Sequence, residues 1–123
     1  MTEAQTYSWI FYAASAAAQK EAVKIREIES VADAINHAVP TQKEISSSIR
    51  WLESKALIER EGKKVALTEE GKSFASEIAA KPSSTMKTWD RIAKAFQKMG
   101  ADNSTGIDCR TMEAKQGSRG NVG

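Results

Sequence analysis

The chain contains one cysteine, one histidine and two prolines in 123 residues, and no apolar run near the ~20 residues that a membrane span needs. Each scarcity removes a class of protein. Cys109 has no second cysteine for an intrachain disulfide, which fits a reducing compartment. With His37 as the lone imidazole, Cys and His cannot assemble a structural metal site. No nucleophile with a neighbouring base and no glycine-rich phosphate loop stands out. Neither an enzyme nor a cofactor site is therefore expected, and no small-molecule ligand is evident. Residues 8–18 have the apolar density of a signal-peptide core, but Glu3 rather than a basic segment leads into them. A cytoplasmic protein with no membrane association is the expectation.

What is present is a globular composition, 41% hydrophobic and 28% charged, enough for one modest core. Residues 101–123 show no periodicity and almost no bulky apolar side chains. One domain over residues 1–100 with a disordered tail is expected. The net charge of +2 is unevenly spread. Residues 1–40 hold three basic and five acidic side chains, and residues 41–80 hold seven of each. In residues 81–100, Lys81, Lys87, Arg91, Lys94 and Lys98 stand against Asp90 alone. That late excess is either a solvated helix face or a surface for phosphates.

Periodicity predicts five helices. The first covers about residues 6–20, where Tyr7, Trp9, Phe11 and Tyr12 give way to alanines that permit close helix approach. Because no basic residue interleaves with these aromatics, they read as core and not as a base-stacking platform. A second helix spans Val23–Ala38, with Ile25, Ile28, Val31, Ala32 and Ile35 on one stripe and Pro40 beyond its end. The third, over 41–55, opens with a capping box, Thr41 to Glu44, and keeps Ile45, Ile49, Leu52 and Ala56 on a narrow apolar stripe. A fourth covers 69–80 behind a Thr68 cap. A fifth covers 85–99, with Trp89, Ile92, Ala93 and Phe96 on one face and Gly100 as its stop. Between the third and fourth helices, Leu57–Glu61 and Lys64–Thr68 read as strands around the Gly62-Lys63 turn.

Helix, helix, a turn with Pro40, helix, then a hairpin with a basic tip is the order of a winged helix-turn-helix, a mainly α architecture of the α+β class. At Leu52, Leu57, Ile58, Leu67, Thr68 and Gly71 the stretch from about residue 25 to 80 resembles bacterial transcriptional regulators of the MarR and PadR type. The resemblance implies a recognition helix over 41–55 that enters the major groove of duplex DNA, with the hairpin 57–68 on the flanking backbone. It also implies a dimer on two half-sites. The apolar faces of helices 6–20 and 85–99, with Trp9, Phe11, Trp89 and Phe96, are the candidate homodimer surface; their alternative use is packing of the first helix on the last. One departure stands out. The family usually has glycine where this chain has Ala56, so the turn into the wing is expected to be tightened in some other way.

The three serines in the third helix divide by direction. Lys43, Ser47, Arg50 and Ser54 lie opposite the apolar stripe with Ser46 beside them, whereas Ser48 borders it as a small packing residue. Short hydroxyl side chains framed by two cations let a helix backbone come close to base edges and phosphates. Candidate DNA contacts are thus Thr41, Gln42, Lys43, Ser46, Ser47 and Arg50 on the helix, and Lys63 and Lys64 at the hairpin tip. Glu44, Glu53, Glu59 and Glu61 lie close in sequence and would repel phosphates. The same face therefore also suits a protein-binding module that does not touch DNA.

Overall fold

A computed structural model describes residues 1–101. The expected disorder of the tail falls, from residue 102 onward, outside the described residues. Ala101 is fully buried, so the domain takes in one residue more than expected. The element order is α1 (Glu3–Ala17), β1 (Val23–Lys24), α2 (Ile25–Asn36), α3 (Gln42–Ser54), β2 (Ile58–Glu61), β3 (Lys64–Leu67), α4 (Glu69–Ala79) and α5 (Thr85–Lys98). The chain is mainly helical, with a small antiparallel sheet of order β1-β3-β2, an α+β arrangement. No helix among the described residues is long and apolar enough to cross a membrane.

α1 ends at Ala17 and α2 at Asn36, earlier than expected, and two helix starts also differ from the sequence reading, each for a local reason. α1 begins at Glu3 instead of residue 6 because Thr2 and Gln5 form a capping box. The Thr2 hydroxyl accepts from the Gln5 amide at 3.1 Å and Gln5 Oε1 accepts from the Thr2 amide at 2.9 Å. α2 begins at Ile25 because Val23 and Lys24 leave the expected helix to pair with Val65 and Lys64. A two-residue strand has no period to detect, so nothing in the sequence announces it. Pairing with β3 buries Val23 and covers an edge the hairpin would otherwise expose.

α1 is the centre of the fold. Tyr7, Ser8, Trp9, Ile10 and Phe11 are buried in succession, as are Ala13 and Ala14, so this helix is enclosed on nearly every side. Two indoles fasten it: Trp9 Nε1 donates to the Ala32 carbonyl of α2 at 2.9 Å, and Trp89 Nε1 of α5 donates to the Gln5 carbonyl at 2.8 Å. The aromatics of the first helix are thus core, as their sequence context indicated. Trp9, Phe11, Trp89 and Phe96, expected as a candidate dimer surface, are all buried within the single chain. They serve the packing of the first helix on the last.

The turn from α3 into β2 also departs from expectation. Ala56 takes the left-handed conformation itself, at φ 59°. Its amide donates to the Glu53 carbonyl and the Leu57 amide to the Leu52 carbonyl, both at 3.0 Å, the bond pattern of a Schellman motif. Leu52 and Leu57 are both buried around it. The geometry glycine would supply is kept and the alanine bears the strain. Gly71 has a different task. A Cβ there would lie 2.0 Å from the Leu57 carbonyl oxygen, which already accepts from the Thr68 amide. Only glycine lets the first turn of α4 rest on the α3–β2 junction. In the hairpin, Gly62 at φ 64° is the left-handed residue of the two between Glu61 and Lys64, and open space surrounds its Cα.

These positions predict opposite outcomes in chemical denaturation. Gly71→Ala forces a side chain onto a backbone carbonyl and is expected to destabilise by about 3 kcal/mol or more, near the upper range for single substitutions. Ala56→Gly relieves about 1–2 kcal/mol of left-handed strain. It gives back about 0.4–1 kcal/mol through a freer unfolded chain, so a net gain of about 0.5–1 kcal/mol is expected.

Candidate nucleic-acid interface

α3 is 13 residues long, about 20 Å at 1.5 Å per residue, which exceeds the ~12 Å width of a B-DNA major groove. Its N-terminus closes as the sequence indicated: the Glu44 amide donates to the Thr41 hydroxyl at 3.0 Å and the Thr41 amide to Glu44 Oε1 at 2.9 Å. Two consequences follow. The Thr41 oxygen is held in the cap, leaving only its own proton to donate outward. The Glu44 carboxylate is turned back onto the helix end, where it interacts favourably with the positive end of the dipole.

Ile45, Ile49 and Leu52 of the expected stripe are buried, Ala56 is exposed beyond the helix end, and the face away from the stripe is open. Gln42, Lys43, Ser46 and Arg50 are exposed and Ser47 is half-buried. Among the described residues, none of these five side chains makes a hydrogen bond or an ion pair. The other helical serines divide, Ser30, Ser73 and Ser76 making no side-chain hydrogen bond among the described residues. Ser8, Ser15 and Ser54 each donate to the carbonyl three residues back, at 2.9, 2.8 and 2.6 Å. Ser46 and Ser47 have the same local option and do not take it. Their hydroxyls remain free to meet something outside the chain.

Ser48 is a separate case. It is fully buried, and its Oγ has no hydrogen-bond partner. Its neighbour one turn on, Trp51, lies half-buried off the apolar stripe. Trp51 stacks on Tyr7 of α1 at 5.1 Å between ring centroids and contacts Phe96 of α5 at 4.8 Å. The sequence reading left Trp51 out because it used a single narrow stripe. Ser48 and Trp51, three residues apart, form a second packed edge of α3, and a tryptophan at that spacing was the available signal.

The hairpin carries the remaining candidates. Arg60 Nε lies 3.2 Å from Glu53 Oε1, an ion pair that ties β2 to the end of α3 and neutralises one of the acidic residues near the interface. Strand alternation then places Glu59 and Glu61 on the opposite face of the sheet from α3. There they line a recess of about 330 Å³ with Glu21 and Glu69. Lys64 shares that outer face, since its cross-strand neighbours are Glu61 and Lys24. Lys63, at the tip, has no such acidic partner. The two lysines named together in the sequence are therefore unequal, and Lys63 is the freer charge. Lys24, exposed beside Lys64, is a cation the sequence reading missed because β1 was not foreseen.

Among the described residues no group of three His, Cys, Asp or Glu side chains is arranged to hold a metal ion. No family model matches the chain, and neither a curated protein nor a solved structure matches it significantly.

The orphan hydroxyl sets a prediction. Ser48→Ala removes a buried unsatisfied oxygen, worth about 1–3 kcal/mol, and improves helix propensity by about 0.5 kcal/mol. A stabilisation of at least about 1 kcal/mol in urea unfolding is expected, with no change at the exposed face.

Proposed function

We propose that the chain is a winged helix-turn-helix protein that binds duplex DNA as a small transcriptional regulator. In this reading α2 and α3 form the helix-turn-helix, α3 enters the major groove, and the β2–β3 hairpin is the wing over the neighbouring backbone. The observation that carries it is the uncommitted polar face of α3. Lys43, Ser46, Ser47 and Arg50 lie on one side of a capped, rigidly seated helix, and no side chain among them takes part in the fold. Small hydroxyls between two cations suit close approach to base edges and phosphates. The sheet order β1-β3-β2, with β1 between α1 and α2, supports the winged-helix architecture. So does the Arg60–Glu53 tie, which holds the wing at a set angle to α3.

Roles differ along the surface. Arg50 is the candidate for base reading, as its planar guanidinium can take a guanine edge in a bidentate manner. Lys43, Gln42 and Lys63 are candidates for phosphate contacts that set register. Thr41 acts mainly through its cap. Glu59 and Glu61, exposed on the outer face of the wing, favour a second reading, in which that outer face binds a protein with basic groups. Salt separates the two, because phosphate contacts release counterions and steepen the salt dependence.

Selection of bound sequences from random duplex DNA, followed by titration, tests the proposal. Arg50→Ala is expected to weaken binding to the selected site by about 10–100-fold, from a bidentate contact worth about 1–3 kcal/mol. Its effect on random duplex is expected to be small. Lys63→Ala should weaken both and lower the salt slope by about one. Absence of any salt-dependent binding at low ionic strength would remove the DNA reading and leave the protein-binding one.

A further inference from the structure

α1, α4 and the N-terminal half of α5 line an open-sided recess of about 580 Å³ on the domain surface. Its size lies within the range of small-molecule sites. Phe11, Leu67, Ala75, Ile78 and Ile92 line its apolar part. Along α4 the lining runs from Lys72 to Ala79, about 10 Å at 1.5 Å per residue, so the space is a channel and not a round pocket.

The two ends of this channel differ in charge. At the Lys72 end the ammonium lies 3.7 Å from Glu69, whose carboxylate offsets it. At the other end Lys81 and Thr88 line the recess, and neither side chain has a hydrogen-bond or ionic partner among the described residues. Arg91 stands behind them. Its guanidinium donates to the carbonyls of Ile78 and Lys81 and to Ser83 Oγ, at 2.9, 3.0 and 3.1 Å. It thereby closes the C-terminal end of α4, offsets the negative end of that helix dipole and fixes the Lys81–Ser84 connection in place. One end of an apolar channel thus carries an unpaired cation, a free hydroxyl and a neighbouring guanidinium.

We propose that this channel binds a medium-chain aliphatic monocarboxylate, its headgroup at Lys81 and Thr88 and its chain along α4 toward Lys72. Occupancy is felt at α3 through aromatic contacts. Phe11, in the channel wall, meets Phe96 at 5.7 Å, and Phe96 meets Trp51 of α3 at 4.8 Å. Phe11 is itself fully buried, so a bound chain stiffens the wall in front of it and, through Phe11 and Phe96, the helix that carries Lys43, Ser46 and Arg50. The regulatory meaning of this link rests on the DNA-binding reading, but the site and the link themselves do not.

The test uses the full chain without DNA, so its failure is distinguishable from failure of DNA binding. Calorimetric titration with decanoate is expected to show saturable binding, and decanol, of equal chain length but neutral, to bind about tenfold more weakly. Lys81→Gln should erase that difference. Ala79→Trp, at an exposed position on the channel wall, should block both probes, and Lys98→Gln, outside the channel, should change neither. Hydrogen exchange over Gln42–Ser54 should slow on adding decanoate, and Trp51→Leu or Phe96→Leu should abolish the slowing while binding persists. No binding of decanoate, equal affinity for decanol, or retention of the difference in Lys81→Gln would overturn the site. Unchanged exchange over α3 at saturation would overturn the link.

Discussion

The enclosure of α1 is the constraint from which the other elements take their places. A helix buried on nearly every side has no solvent face to orient it, so its neighbours must define its rotation. Two indole N–H groups do so with directional bonds, Trp9 to Ala32 and Trp89 to Gln5, and the surrounding alanines let the backbones approach. A buried indole nitrogen without an acceptor costs about 1–3 kcal/mol, so these bonds specify as much as they stabilise. α2 and α5 are positioned directly in this way, and α3 is positioned through Trp51 on Tyr7. The open side of α3 is what remains after its apolar stripe and its Trp51 edge are covered.

Much of this was legible in the sequence where a residue type has one dominant physical use. The Thr41–Glu44 box set the start of α3 and Gly62 set the hairpin, whereas α2 ends at Asn36 on a left-handed His37, short of the Ala38 expected from Pro40. The Leu-Thr-x-x-Gly run around Thr68 and Gly71 was visible as a pattern, but its reason is spatial: a backbone carbonyl occupies the place of a side chain. Features that depend on distant partners were not legible. β1 exists only because Val65 and Lys64 lie beside it, and the channel exists only because Arg91 holds a connection ten residues away. Ala56 shows the limit of residue preference. Buried Leu52 and Leu57 on either side hold it left-handed, and packing overrode the cost.

Charge on the candidate interface is arranged by the backbone more than by composition. Four glutamates lie near α3 in sequence, yet the cap binds one, Arg60 pairs another, and strand alternation turns the remaining two to the far face of the sheet. A segment with no net charge thereby presents a locally positive helix face. The basic excess of residues 81–100 is divided in the same way. Lys94 is paired with Asp90 at 3.1 Å and Arg91 is bonded to α4, while Lys81, Lys87 and Lys98 have no acidic partner among the described residues.

The bond from Trp89 to Gln5 spans 84 residues of sequence, and this has a consequence for how the chain is made. The β2–β3 hairpin closes on local contacts and the first turn of α4 rests on Leu57, but α3 packs chiefly on α1. α1 emerges first yet waits for α5 to cover one of its sides. At about 5–20 residues per second, that interval is on the order of ten seconds. During it, part of the apolar surface around Tyr7, Trp9 and Phe11 is open to other nascent chains. α1 is made well before α5, so the exposure of this surface to misassembly is set by the length of chain between these two helices.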